Sequence, residues 1–326
     1  MHPRSETEER VLEVFGAEAP KQSVTVVEKP RIGKEVRYVP APPLYFVIDL
    51  ETKRAVTRRE LFEVFTQAWF EKAGFPKLCG REVASGEVLF VGTPASDSLL
   101  ASRGIERNPS YEACFFALPA LEEGAPREAE DFERALAAVK DAARVWTPSA
   151  RVAPEAAAAE AAKVAAVAED LGGELRLVLA APKEGFLGRS VWNLLHSMGL
   201  RWGDMDLFNW ETDEGWSDPA LFWVGTTTDP GYFLPEEIAL DKRYADLTFA
   251  MGVGSKPEPE AIATAMIAFA TAIKDKLGGT LRTSRGEALD PAAFVRAAAR
   301  LHADLTARGF PAGAPHTVEL LVALSI

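Results

Sequence analysis

Cysteine is nearly missing from this chain: two in 326 residues, Cys79 and Cys114, with no C-x-x-C between them. That excludes a disulfide scaffold and thiolate metal sites, and it makes a reducing cytoplasm the expected compartment. Histidine is equally sparse. His2, His196, His302 and His316 have no Cys, Asp or Glu at metal-ligand spacing. No apolar run approaches the roughly 18 residues of a membrane span, and the opening "MHPRSETEER" has no apolar core of a signal peptide. Basic residues are in deficit, 36 against 48 acidic, for a net charge of −12. A nucleic-acid binder needs the opposite balance, because it must neutralise phosphates. Phosphate loops are absent as well: "GKE" at 33–35 lacks the glycine lead-in and the following Ser/Thr, and "MGVGS" at 251–255 reads as a turn at a strand end. Asp204 and Asp206 stand two apart with no third ligand. No catalytic residue, metal site or cofactor is assigned.

What is present is alternation and helical spacing. Residues 1–40 read as a partly ordered tail, stiffened at its end by "VPAPP". "LYFVIDL" (44–50) alternates as a strand. A helix follows from Thr57, whose capping box closes on Glu60, with Leu61, Val64, Phe65 and Ala68 as its apolar stripe and Gly74 as its stop. "GEVLFVGT" and "YEACFFAL" are strands, and helices are expected over about 127–144 and 154–170. The order then begins again: strand 174–180, helix about 187–198, strands "GDMDLFNW", "PALFWVGT" and "ADLTFAMGV", a helix about 258–277, and a last helix capped by Asp290. "EVLFVGT" matches "ALFWVGT", and "YEACFFALPALEEG" matches "YADLTFAMGVGSKP" in apolar positions. This is an internal duplication, with copies at about 41–172 and 173–326, the second ending in "HTVELLVALSI" as one more strand. The expected class is α+β: tandem split β-α-β domains, each an antiparallel sheet with helices on one face.

The helix-free face is where alternation places function. Leu247, Phe249, Met251 and Val253 turn toward the helices, and Thr248, Ala250 and Gly252 turn away. In "ALFWVGT", Leu221, Trp223 and Gly225 turn away. Met205 and Leu207 are assigned to the same face, and Tyr45, Phe90 and Phe115 to that of the first copy. A face so apolar is either covered from within the chain or meets a partner.

The second copy resembles a known family. "GLRWGDMDLF", "DPALFWVGTTTDPGYF", "LTFAMGV" and "KLGGTLRTSRGEALDPAAFVRAAARL" are similar to the C-terminal domain of the cell-division protein ZipA, over about residues 173–308. The first copy is similar to that family only through the duplication. The resemblance implies a split β-α-β fold with three helices on one side of the sheet. It also implies that the open face holds the short C-terminal tail of FtsZ, the tubulin-like division GTPase, without chemistry. Met205 and Leu207 match family contact positions in kind. Gly225, Thr227 and Ala250 fall where the family has other contact side chains, and Asp229 falls where it carries a lysine. With Trp223 and Thr248 these make the expected partner-binding set. The alternatives are an immunity-type protein whose acidic surface neutralises a basic partner, and an oligomer whose sheet faces pair.

Overall fold

A computed structural model of the chain describes residues 6–15, 27–74, 76–96, 98, 108–171 and 173–324. The chain forms two units: Met1–Val36 with Leu171–Leu321, and Arg37–Asp170 with Val322–Ile326. Helix α1 (Glu6–Phe15) therefore belongs with the C-terminal unit, to whose core it adds Val11.

The N-terminal unit is built on β1 (Tyr45–Glu51), α2 (Arg58–Val64), α3 (Gln67–Lys72), β2 (Lys77–Glu82), β3 (Val88–Phe90), β4 (Ser110–Pro119), α4 (Ala129–Ala142), β5 (Thr147–Ala150) and α5 (Pro154–Leu171). Its antiparallel sheet runs β3-β2-β4-β1-β5, with the short pair Val56–Thr57 joined to β4. The Thr57 capping box forms: Thr57 N–H donates to Glu60 Oε2 at 2.8 Å, and Glu60 N–H to Thr57 Oγ1 at 3.3 Å. The single helix expected after it is broken at Phe65. Thr66 caps a new helix by accepting from Trp69 N–H, and the break turns Ala68 outward and Phe70 into the core. Strand β2 comes from a stretch expected to be a connection. Gly80 allows it, because a Cβ there would lie 2.9 Å from that of Tyr111. Consequently "EVLFVGT" supplies an edge strand, not the inner one that "ALFWVGT" supplies in the other unit.

The C-terminal unit contains β6 (Glu174–Ala180), α6 (Gly188–Ser197), β7 (Arg201–Trp202), β8 (Phe208–Glu211), β9 (Ala220–Gly225), α7 (Pro235–Ala239), β10 (Asp246–Gly252), α8 (Pro259–Leu277), β11 (Thr280–Thr283), α9 (Pro291–Ala307) and α10 (Pro315–Leu324). Its sheet runs β7-β8-β9-β10-β6-β11, all neighbours antiparallel. The two sheets share one order: β2-β4-β1-β5 in one corresponds to β9-β10-β6-β11 in the other. One face is covered by helices. Phe208, Trp210, Phe222, Val224, Leu247, Phe249, Leu177 and Leu179 meet Val191 and Leu195 of α6, Ile262, Met266, Phe269 and Ile273 of α8, and Phe294 and Ala298 of α9. Asp290 Oδ1 accepts from the N–H groups of Ala292 and Ala293, which satisfies two donors at the start of α9. The expected C-terminal strand is a helix: Pro315 starts it, and Thr317 and Leu320 are buried three residues apart, a spacing that a strand would turn to opposite faces.

One buried titratable group sets a pH dependence. His196, on α6, lies against the rings of Trp192 and Phe208, and its Nε2 has no partner among the described residues. Burial lowers its pKa from 6.5 to about 4. The unfolded chain therefore binds a proton that the folded one refuses, and this contribution to stability falls away as pH drops from about 6.5 to about 4. His196→Phe, which suits the aromatic surroundings, is expected to flatten the pH–stability curve in that window, as measured by urea unfolding at several pH values.

Candidate functional site

The helix-free face of the C-terminal sheet can be read row by row from the register. Asn209, Trp223, Ala250 and Arg176 form one row, and Gly225, Thr248, Val178 and Arg282 the next. The Arg176 guanidinium sits 5.6 Å from the Trp223 ring centre. Ala250, between them in the row, is 0% exposed, and Thr248 is buried too. These two members of the expected set lie on the face but form its floor, not its accessible surface. Leu221 is also buried.

The accessible large apolar side chains of this face are Leu207 and Trp223, and Met205 stands exposed in the adjoining turn. A Cβ on Gly225 would meet Leu207 Cδ2 at 3.0 Å, Gly231 O at 3.1 Å and Trp223 Cζ3 at 3.2 Å. Leu207 and the indole therefore converge over Gly225, which makes way for them. Gly225→Ala would press on a backbone oxygen that cannot rotate away. It is expected to cost about 1–2 kcal/mol, the usual penalty for overpacking, and calorimetric unfolding would measure it.

Met205 is not on a strand. It occupies the hairpin turn between β7 and β8, where Leu207 N–H donates to Asp204 O at 3.2 Å. Met205 and Asp206 have φ of 56° and 55°. Two central residues with positive φ make a type I′ turn, the geometry whose twist suits a hairpin. Asn and Gly are its usual occupants, since a left-handed conformation costs other L-residues roughly 1–2 kcal/mol each. Here the first position holds a methionine that is 76% exposed. Folding gains little from an exposed thioether at that cost, and such strain clusters at binding sites. Met205→Asn is expected to raise stability by about 1 kcal/mol while removing the apolar side chain, and thermal unfolding checks the sign.

At the other end of the face, Asp246 is buried but well satisfied. Its carboxylate accepts from Thr227 N–H at 2.7 Å, from the Thr226 hydroxyl at 3.3 Å, and from the Thr227 hydroxyl. Thr227, though exposed, has its proton engaged and can offer a partner only an acceptor. Asp229 is exposed in the next turn, and its carbonyl accepts from Lys242 Nζ at 3.1 Å. Arg176 and the exposed Arg201 share the row of Trp223, each paired with a carboxylate: Arg176 Nε donates to Glu174 at 2.8 Å, and Arg201 lies 3.0 Å from Glu211. Asp229 lies past Thr227.

The equivalent face of the N-terminal unit is covered at its centre and open at its edge. Val47 and Ala117, paired in register, are both 0% exposed. Beside them Arg151 forks onto Asp49 at 2.8 and 2.9 Å while covering Phe115 at 4.9 Å, and Lys77 covers Tyr45 at 4.9 Å. Tyr45 and Phe115, expected in an open apolar surface, are therefore buried; Phe90, on the edge strand, remains 60% exposed. Among the described residues no cluster of three or more His, Cys, Asp or Glu could hold a metal ion. No helix of the described residues is long and apolar enough to cross a membrane.

Residues 166–300 match the protein family described as "ZipA, C-terminal FtsZ-binding domain". The matched stretch takes in all six strands of the C-terminal sheet and α6, α7 and α8. The cell division protein ZipA of Marinobacter nauticus is 28% identical to this chain over 114 residues, 35% of this chain and 33% of that protein. The chain thus spans about a third of the length of the curated relative it matches.

Proposed function

We propose that this protein acts in cell division as a cytoplasmic binding module without catalysis of its own, and that its C-terminal unit holds the C-terminal tail of FtsZ. The observation that supports this best is a coincidence. The stretch similar to an FtsZ-binding family is also the one whose helix-free face presents Leu207 and Trp223, with a strained, exposed Met205 in the adjoining turn. The N-terminal unit is read as a diverged copy whose corresponding face serves its own stability.

The mechanism is docking. Apolar side chains of an extended or helical tail seat on Met205, Leu207 and Trp223. Ala250 and Thr248 keep the floor shallow, and Gly225 lets the two larger side chains close over it. Arg176 and Arg201 are already paired with Glu174 and Glu211, and the exposed Asp229 favours a basic residue of the tail near the end past Thr227. Affinity is modest because a short segment must be ordered as it binds. The similarity favours this reading over a toxin-neutralising role.

The test is fluorescence anisotropy with a labelled peptide of the FtsZ C-terminal tail from the same organism. Saturable binding that weakens tenfold or more, about 1.4 kcal/mol, in both Met205→Ala and Trp223→Ala is expected. The proposal fails if no binding is seen up to about 1 mM peptide, a limit near 4 kcal/mol of affinity. It also fails, as to the site, if both variants bind like the unaltered protein.

A further inference from the structure

The N-terminal helix grips the turn that presents Met205. Arg10 on α1 reaches three groups around that turn. Its Nη1 donates to Asp206 Oδ1 at 3.0 Å, and Asp206 is the second left-handed residue of the turn. Its Nε and Nη2 donate to the two carboxylate oxygens of Glu236 at 2.9 and 3.0 Å. Its guanidinium lies 5.3 Å from the ring centre of Trp202, in the strand that enters the turn. The segment before α7 holds the same turn from behind. Phe233 N–H donates to Asp206 O at 2.9 Å, and Trp202 Nε1–H donates to Phe233 O at 3.0 Å. Arg10 therefore ties the turn to the segment that secures its backbone. The helix has its own anchor: Val11 is buried in the core of the unit, and Phe15 stacks on Trp192 of α6 at 5.3 Å with Arg189 over it.

We infer that α1, through Arg10, holds the Gly203–Leu207 turn in the conformation that displays Met205, so that Arg10 is a positioning residue for the docking face. The inference rests on the tail-binding reading for its consequence, though not for the clamp itself. A turn with two non-glycine residues at positive φ relaxes unless its surroundings fix it. The backbone bonds from Phe233 fix one side, and a fork shared between Asp206 and Glu236 fixes the other. Arginine suits this task because its planar fork takes Glu236 bidentately while another N–H reaches Asp206, a geometry that the compact ammonium of lysine does not offer.

The experiment uses the full chain with Arg10→Ala, Asp206→Asn and the double variant. Asparagine keeps the left-handed conformation but loses the charge, and it leaves the apolar seat of α1 untouched. Two quantities are read: amide hydrogen exchange at Asp206 and Leu207, and affinity for the FtsZ tail peptide. Either single variant is expected to speed exchange at these two amides about tenfold, with α8 and β10 unchanged, and to weaken the peptide severalfold. The double variant is expected to be no worse than Arg10→Ala alone, because the contact that Asp206→Asn weakens is already gone when the arginine is removed. Unchanged exchange at the turn, or a rise shared by α8 and β10, overturns the clamp. Faster exchange with undiminished affinity overturns its role in docking. If the unaltered protein binds no tail peptide, the proposed function fails by itself, and the exchange measurements still decide whether Arg10 holds the turn.

Discussion

An antiparallel sheet has two faces, and helices cover only one of them in each half of this chain. The other must be closed by the sheet's own side chains or left for something else to cover. The chain closes it with cations laid on aromatic rings: Lys77 on Tyr45 and Arg151 on Phe115 in the N-terminal unit, and Arg176 on Trp223 in the C-terminal one. Each such contact contributes on the order of 1 kcal/mol, and each also spreads a charged, hydrated group over apolar surface. In the N-terminal unit the Arg151 fork onto Asp49 completes the cover. In the C-terminal unit the cover stops at Ala250, and Leu207 and Met205 stand beyond it.

Much of this was legible in the sequence, and the parts that were not share a cause. Helices α8 and α9 declared themselves through long apolar periodicity, and α9 also through its Asp290-Pro291 start. Strands β9 and β10 did so through alternation. The last helix did not, because "HTVELLVAL" is a short apolar run with β-branched residues, and periodicity cannot separate strand from helix over such a length. The turn at Gly203–Leu207 was hidden by its own residues. Asn-Gly would have marked it, whereas Asp-Met-Asp-Leu continues the alternation of a strand. That the supposed tail feeds Val11 and Ile32 into the C-terminal core had no local signal, since burial there depends on residues more than a hundred positions away.

The candidate residues were assigned by alternation and by the family resemblance, and the structure divides them by depth. Trp223 and Leu207 converge over Gly225, which has no side chain, whereas Thr248 and Ala250 are buried. Parity along a strand tells which face a residue is on. It does not tell whether the neighbours leave it in view. The exposed methionine is a further case: it was read as part of a strand and stands in a left-handed turn. The left-handed turn is what lifts it clear of the sheet, so that a side chain expected to lie in the face instead stands at its rim.

The clamp on that turn joins residues 226 positions apart, Arg10 and Glu236. During synthesis α1 leaves the ribosome well before its partners, and a ten-residue helix alone is only marginally formed in water. Its seat on α6 and its carboxylate partners are made only after residues 37–170 have been translated. A segment synthesised early therefore waits for the elements that hold it. A chain whose translation stops before Glu236 offers Arg10 only Asp206 and Trp202, so the full fork forms once the polypeptide has passed that residue.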